Sequence, residues 1–128
     1  HLSLGGVCGG FQETIMLESF FIASLLVQVA HSLEELATGF HKKWFAFQMP
    51  FIVFLIFEVM FTSFFVSVLF NETFPFRSTI QAFFLLLMFL NGVQHVVWSA
   101  CVRKYVPGLI TAPFHIIVFT VFYFKVLL

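Results

Sequence analysis

Four runs of twenty or more predominantly apolar residues divide this chain, at about residues 14–38, 45–70, 78–102 and 108–128. About 20 apolar residues in helix cross the roughly 30 Å hydrocarbon core of a bilayer. No lysine or arginine falls inside the first three runs. Charged residues make up 9% of the chain, against about 25% in a soluble domain. So few charges cannot cover a globule in water, and lipid is the expected solvent. The fold expected is all-α, an integral membrane four-helix bundle, formed by residues 13–128 as a single domain. Residues 1–12, rich in glycine, read as a flexible tail. A net charge of zero gives no footprint for nucleic acid. Cys8 and Cys101 make neither a disulfide framework nor a CxxC site. The 22 phenylalanines read as lipid-facing filler. Membrane lipid and a lipid-soluble small molecule are the expected partners, with an oligomer or a larger membrane complex left open.

The breaks between runs carry their own signals. Gly39 can cap the first helix, and His41-Lys42-Lys43-Trp44 is an interfacial cluster. Asn71 to Pro75 and Arg103 to Gly108 read as turns. Four of the six bases, Lys42, Lys43, Arg103 and Lys104, lie in the first and third loops. These loops share a side in a four-span protein, and the positive-inside rule makes that side cytoplasmic. Both termini are then expected outside the cytoplasm. Lys125 is a counter-signal.

The informative residues are those that cost most in a membrane. A charge at a helix centre costs roughly 2.5–3.5 kcal/mol on insertion scales. His31 and Glu35 are four apart and share a helix face, with Glu34 flanking it and Gln28 and Thr38 extending the stripe. Asn91 and His95 repeat the i,i+4 pair in the third run. His115 follows Pro113 in the fourth, where the proline can bend the helix. At about 1.5 Å per residue, Glu35 lies roughly 10 Å and His31 roughly 16 Å from Lys42. His95 lies roughly 12 Å from Arg103, and His115 roughly 12 Å from Pro107. Three helices thus deliver histidine and glutamate to one layer. Glu58 counts roughly 20 Å from Trp44, which places it below that layer, and it reads as an isolated protonated acid or as a partner for Gln81 or Ser67 rather than a ligand.

At these residues the chain resembles the HXXEE membrane proteins, a domain family of unknown function. His31-Ser-Leu-Glu34-Glu35 is the HxxEE signature, and Asn91-Gly-Val-Gln-His95 fits the family's NxxxH motif. Pro107-Gly108 and Thr111-Ala-Pro113-Phe-His115 look like its last motif. The resemblance implies a small helical membrane protein of metal-dependent enzyme type, and it supplies no substrate.

Histidines with carboxylates suit Zn²⁺, Fe²⁺ or Mn²⁺. One arrangement takes His31, Glu35, His95 and His115 as ligands of a divalent ion, zinc or iron foremost. Glu34 points about 100° away around the helix, so it is assigned to catalysis, to support of a ligand or to a second metal. Asn91 would orient a carboxylate or bind substrate. The expected function is a metal-dependent enzyme, hydrolase or oxidase/hydroxylase. The alternatives are a non-catalytic subunit or small transporter with Glu34 and Glu35 as proton or cation site, a b-type haem bundle with His31 and His95 as axial ligands, and a plain packing network.

Overall fold

Backbone amides in hydrocarbon have no water to bond, so each apolar run must close its hydrogen bonds internally as a helix. The computed structural model of the chain describes residues 7–128. It is all-α among those residues. The helices are α1 (Val7–Thr38), α2 (Phe40–Lys43), α3 (Phe51–Phe70), α4 (Arg77–Val102) and α5 (Ala112–Phe122), which continues into a π-helical turn, Tyr123–Leu127.

Three boundaries differ from the sequence reading, each for a physical reason. Residues 7–12, read as tail, are helical; residues 1–6 lie outside the described residues. A glycine costs a helix only about 1 kcal/mol relative to alanine, so Gly9-Gly10 does not end a 32-residue helix. The second helix starts at Phe51, not near Phe45, with Pro50 as its N-cap. Proline pushes the preceding residue out of the α region, whereas a helix start has no use for its missing N–H. The third difference is the largest. Pro113 stands in the first turn of α5 rather than bending a longer helix. The apolar stretch Ala112–Leu127 is sixteen residues, about 24 Å at 1.5 Å per residue, short of a full crossing. Among the described residues, three helices are long and apolar enough to cross a membrane, Gln12–Thr38, Phe51–Phe70 and Arg77–Val102. The all-α expectation is met, and in place of four full-length spans the described residues hold three long apolar helices and a shorter one.

The missing length went into a buried turn. Val106, Pro107 and Gly108 are non-helical and buried. Irregular backbone survives at membrane depth only where protein covers it or it lines a cavity. α1 is central and packs on α3, α4 and α5, whereas α3 and α4 meet at few positions. Gly92 lets α4 and α5 approach closely, because a Cβ there would stand 2.7 Å from the Ala112 carbonyl oxygen.

The end of the bundle remote from Lys42, Lys43 and Lys104 is filled by Phe21, Leu25, Phe65, Val68, Phe84 and Met88. Arg77 closes that end. Its guanidinium donates to the Val68 and Leu69 carbonyls at 2.9 and 2.6 Å, satisfying the orphan oxygens that end α3. It also pairs with Glu18 of α1 at 2.9 Å. Polarity is inverted across the molecule. Leu26, Leu33, Phe57 and Met60 face outward, while Gln28, His31, Glu35, Glu58, His95 and His115 are buried.

Candidate metal centre

His31 and Glu35 rise from one face of α1, and α4 brings His95 against them. His31 Nε2 lies 3.1 Å from His95 Nε2. Glu35 Oε2 lies 3.4 Å from the first and 3.1 Å from the second. All three side chains are buried, and their ligand atoms converge into one group. Ligand bonds of about 2.0–2.1 Å around a tetrahedral ion put neighbouring ligand atoms about 3.3–3.4 Å apart. The observed triangle has the size of one face of such a tetrahedron, so the donor set fits a divalent ion.

A hydrogen-bond chain fixes which His31 nitrogen carries the proton. The Thr111 hydroxyl donates to Glu34 Oε1 at 2.7 Å, so its oxygen is left to accept. His31 Nδ1 stands 2.6 Å from that oxygen and must be the donor. Nε2 is then the nitrogen that faces Glu35 and His95, and in the Nδ1–H tautomer it offers them a lone pair. Metal-binding histidines ordinarily have their second nitrogen held in this way by an outer acceptor.

Glu34 anchors the chain. Its carboxylate accepts from the Tyr105 hydroxyl and from the Ile110 and Thr111 amides, each amide at 3.0 Å, besides the Thr111 hydroxyl. Those amides precede α5, where a carboxylate also suits the helix dipole. Of the three roles expected for Glu34, catalysis, support of a ligand or a second metal, its four donors, one of them the Thr111 hydroxyl that also meets His31, match support of a ligand most closely. Burial first, and then the Glu34 carboxylate, push the Tyr105 phenol above its ordinary value.

Two glycines shape the walls. Gly108 has φ 93, and a Cβ there would lie 2.6 Å from His95 Cε1 and 2.8 Å from His31 Cε1. The Pro107-Gly108 turn thus lies directly on both imidazoles. Gly39 has φ 81, the left-handed conformation that ends a helix. There α1 ends and the short α2 begins, and Phe40 packs on His95 with ring centroids 5.7 Å apart.

The other expected ligand stands apart. His115 packs edge-on against His31 at 5.1 Å, but its Nε2 donates to Gln28 Oε1 at 3.1 Å. It is outside the converging group. From Gln28 a second chain runs on: Gln28 donates to Ser32 Oγ at 3.1 Å, and Ser32 donates to Glu58 Oε2 at 2.5 Å. Glu58 therefore has Ser32 as partner, not Gln81 or Ser67, and it stands in the layer of the cluster. Its depth was counted from Trp44; counted from Phe51, where the helix starts, it is about 10 Å.

Asn91 lies in the wall of a cavity of about 700 Å³ between α3 and α4. Its Oδ1 accepts from Gln94 at 3.1 Å, and Gln94 accepts from the Trp44 indole at 3.4 Å. Glu35, Glu58, Gln28 and Gln94 share this wall, and the remaining lining is apolar. Tyr105, Thr111 in its linking role, Ser32 and Gln94 were missed by sequence reasoning. Gln94 stands inside the NxxxH motif and Ser32 inside HxxEE, so motif interiors were the available signal.

The class so defined is a helical membrane protein with two histidines and a carboxylate buried together, of which the carboxylate also lines an apolar cleft. A family model described as a protein of unknown function with HXXEE motif matches residues 11–123. The chain belongs to that HXXEE family. It matches none of the curated proteins and none of the solved structures.

Proposed function

We propose that the protein is a metal-dependent membrane enzyme acting on a lipid-soluble substrate, with a divalent ion held by His31, Glu35 and His95. The observation that carries this reading is the triangle of 3.1, 3.1 and 3.4 Å between three buried ligand atoms. A dication in a set of two histidines and one carboxylate supplies Lewis-acid chemistry at its open position, as zinc does in hydrolases and iron in oxygenases. Around it, Glu34 and Thr111 hold His31 in its Nε2-bare tautomer. Phe40 and Gly108 pack the imidazoles and keep water off them. Asn91 and Gln94 face the cleft, where their amides orient the polar group of a substrate. Glu58, also in that wall and held by the Ser32 hydroxyl, accepts a proton there and returns the same proton. The wall thus contains a proton acceptor, which favours hydrolysis over oxidation.

The site lies in the half of the bundle nearest Lys42, Lys43, Arg103 and Lys104. Those bases place that half at the cytoplasmic face. α5 runs back toward the opposite end, as the contact of Phe122 with Phe20 at 5.7 Å supports. Both described ends of the chain then lie away from the cytoplasm.

The chain His115–Gln28–Ser32–Glu58 favours one other reading, a proton-conducting subunit. A b-type haem between His31 and His95 does not fit. Axial bonds of about 2 Å would hold the two nitrogens about 4 Å apart with a macrocycle between them, and they are 3.1 Å apart.

Elemental analysis of the purified protein decides between enzyme site and proton relay. The proposal expects about one Zn or Fe per chain, lost in both His31→Ala and His95→Ala. A folded wild-type protein that stays metal-free after incubation with either ion contradicts it.

A further inference from the structure

The cleft between α3 and α4 holds more information than its volume. Its extent along α3, from Val53 to Phe61, is about 12 Å at 1.5 Å per residue. Its volume of about 700 Å³ lies within the range of about 300–1,000 Å³ that encloses single small ligands. Val53, Phe57 and Leu90 belong to its lining and are 50%, 56% and 53% exposed. The mouth therefore opens sideways between two membrane helices, and a ligand enters from lipid.

Its polar groups are unevenly chosen. The wall carries two carboxylates, Glu35 and Glu58, and three carboxamides, Gln28, Asn91 and Gln94. No lysine or arginine lines it. A phosphate or carboxylate head group in such a wall would meet two side-chain carboxylates and no cationic side chain, at low dielectric. The charge balance goes further and rests on the metal reading above. With Glu35 and Glu58 both ionised, one dication leaves a net charge of zero, and an anionic or a cationic head group is then uncompensated. Carboxamides, which both donate and accept, suit an uncharged polar group.

We infer that this cleft binds a single-chain lipid with an uncharged hydrogen-bonding head group of the alcohol, ester or amide class, its head beside Glu35 and Asn91 and its chain along Phe57 and Phe61. Lipids headed by phosphate or carboxylate are excluded.

The test uses Trp44, which lines the cleft, as reporter. Trp98 is replaced in Trp98→Phe so that Trp44 is the single indole. Probes with one brominated hydrocarbon chain and an alcohol, carboxylate or trimethylammonium head are titrated into protein in neutral detergent, and metal content is measured on the same sample. The alcohol probe is expected to quench Trp44 at a concentration at least about tenfold below either charged probe. Glu58→Gln removes one negative charge but keeps an acceptor for Ser32. It should move the preference toward the carboxylate probe by about tenfold, whereas a merely structural role would weaken all three probes alike. Metal-loaded protein that binds the carboxylate probe as well as the alcohol overturns the inference and leaves the metal reading standing. Metal-free protein that prefers the ammonium probe overturns both. Metal-free protein that still prefers the alcohol supports the head-group inference and overturns the metal reading.

Discussion

Thr111 shows how much one hydroxyl can decide. It accepts a hydrogen bond from His31 Nδ1–H and donates its own to Glu34, so the tautomer of His31 depends on it. Thr111→Val leaves a buried N–H without a partner, which costs about 1–3 kcal/mol. Losing an outer partner of a metal histidine costs about 10–100-fold in affinity. Metal titration should show that loss in Thr111→Val and its recovery in Thr111→Ser, and ¹⁵N spectra of metal-free protein should show the His31 tautomer change only in the valine variant. The two glutamates separate in the same assay. Glu35→Gln removes a ligand charge and should abolish binding. Glu34→Gln turns an amide NH₂ toward the backbone donors of Ile110 and Thr111, and should weaken metal binding only about 10–100-fold. Tyr105 adds a pH limit. Because its phenol is raised, its hydrogen bond to Glu34 is intact below the ordinary tyrosine value of about 10 and is lost as the pH rises through the raised one. Ultraviolet titration of wild type against Tyr105→Phe should show the difference step above pH about 10.

At the scale of elements, the decisive piece is the turn between α4 and α5. Gly108→Ala forces a side chain into left-handed backbone and against both imidazoles. Strain of this kind costs about 1–3 kcal/mol, and here it should also reduce metal content, measured as metal per chain in folded protein. Arg77→Gln acts at the other end. It frees two α3 carbonyls and the Glu18 pair, so thermal stability in detergent should fall while metal content stays at the wild-type level. This contrast checks that the two ends are separate. The turn also marks where the sequence stopped being legible. Apolar composition predicts helix from 108 onward, but it does not distinguish a helix from buried irregular backbone, and the Glu34 carboxylate that serves the Ile110 and Thr111 amides is 76 residues away. Pro50 was readable in principle as a helix start, and counting from it would have brought Glu58 to its observed depth.

Across the whole molecule, the apolar exterior and polar interior follow from the composition. The long helices, and the convergence of His31, Glu35 and His95, followed from i,i+4 spacing and depth. The partition of Glu34 from Glu35 followed only as an angle around α1; its meaning depended on what α5 places opposite. His115 shared the depth but not the convergence, since depth fixes one coordinate and facing another. Orientation in the membrane is a property of this scale too. Lys42 and Arg103 should face the cytoplasm. A cysteine placed at position 42 should then resist impermeant reagents added from outside intact membranes, and ready labelling there would contradict the orientation.

The central claim is that His31, His95 and Glu35 bind one ion together. X-ray absorption at the metal edge of protein loaded with one equivalent reads that shell directly. The account predicts two imidazoles and at least one oxygen at about 2.0–2.2 Å, with His95→Ala reducing the imidazole count to one in any metal it retains. A shell without imidazole scattering, or a spectrum unchanged in His95→Ala, would contradict it.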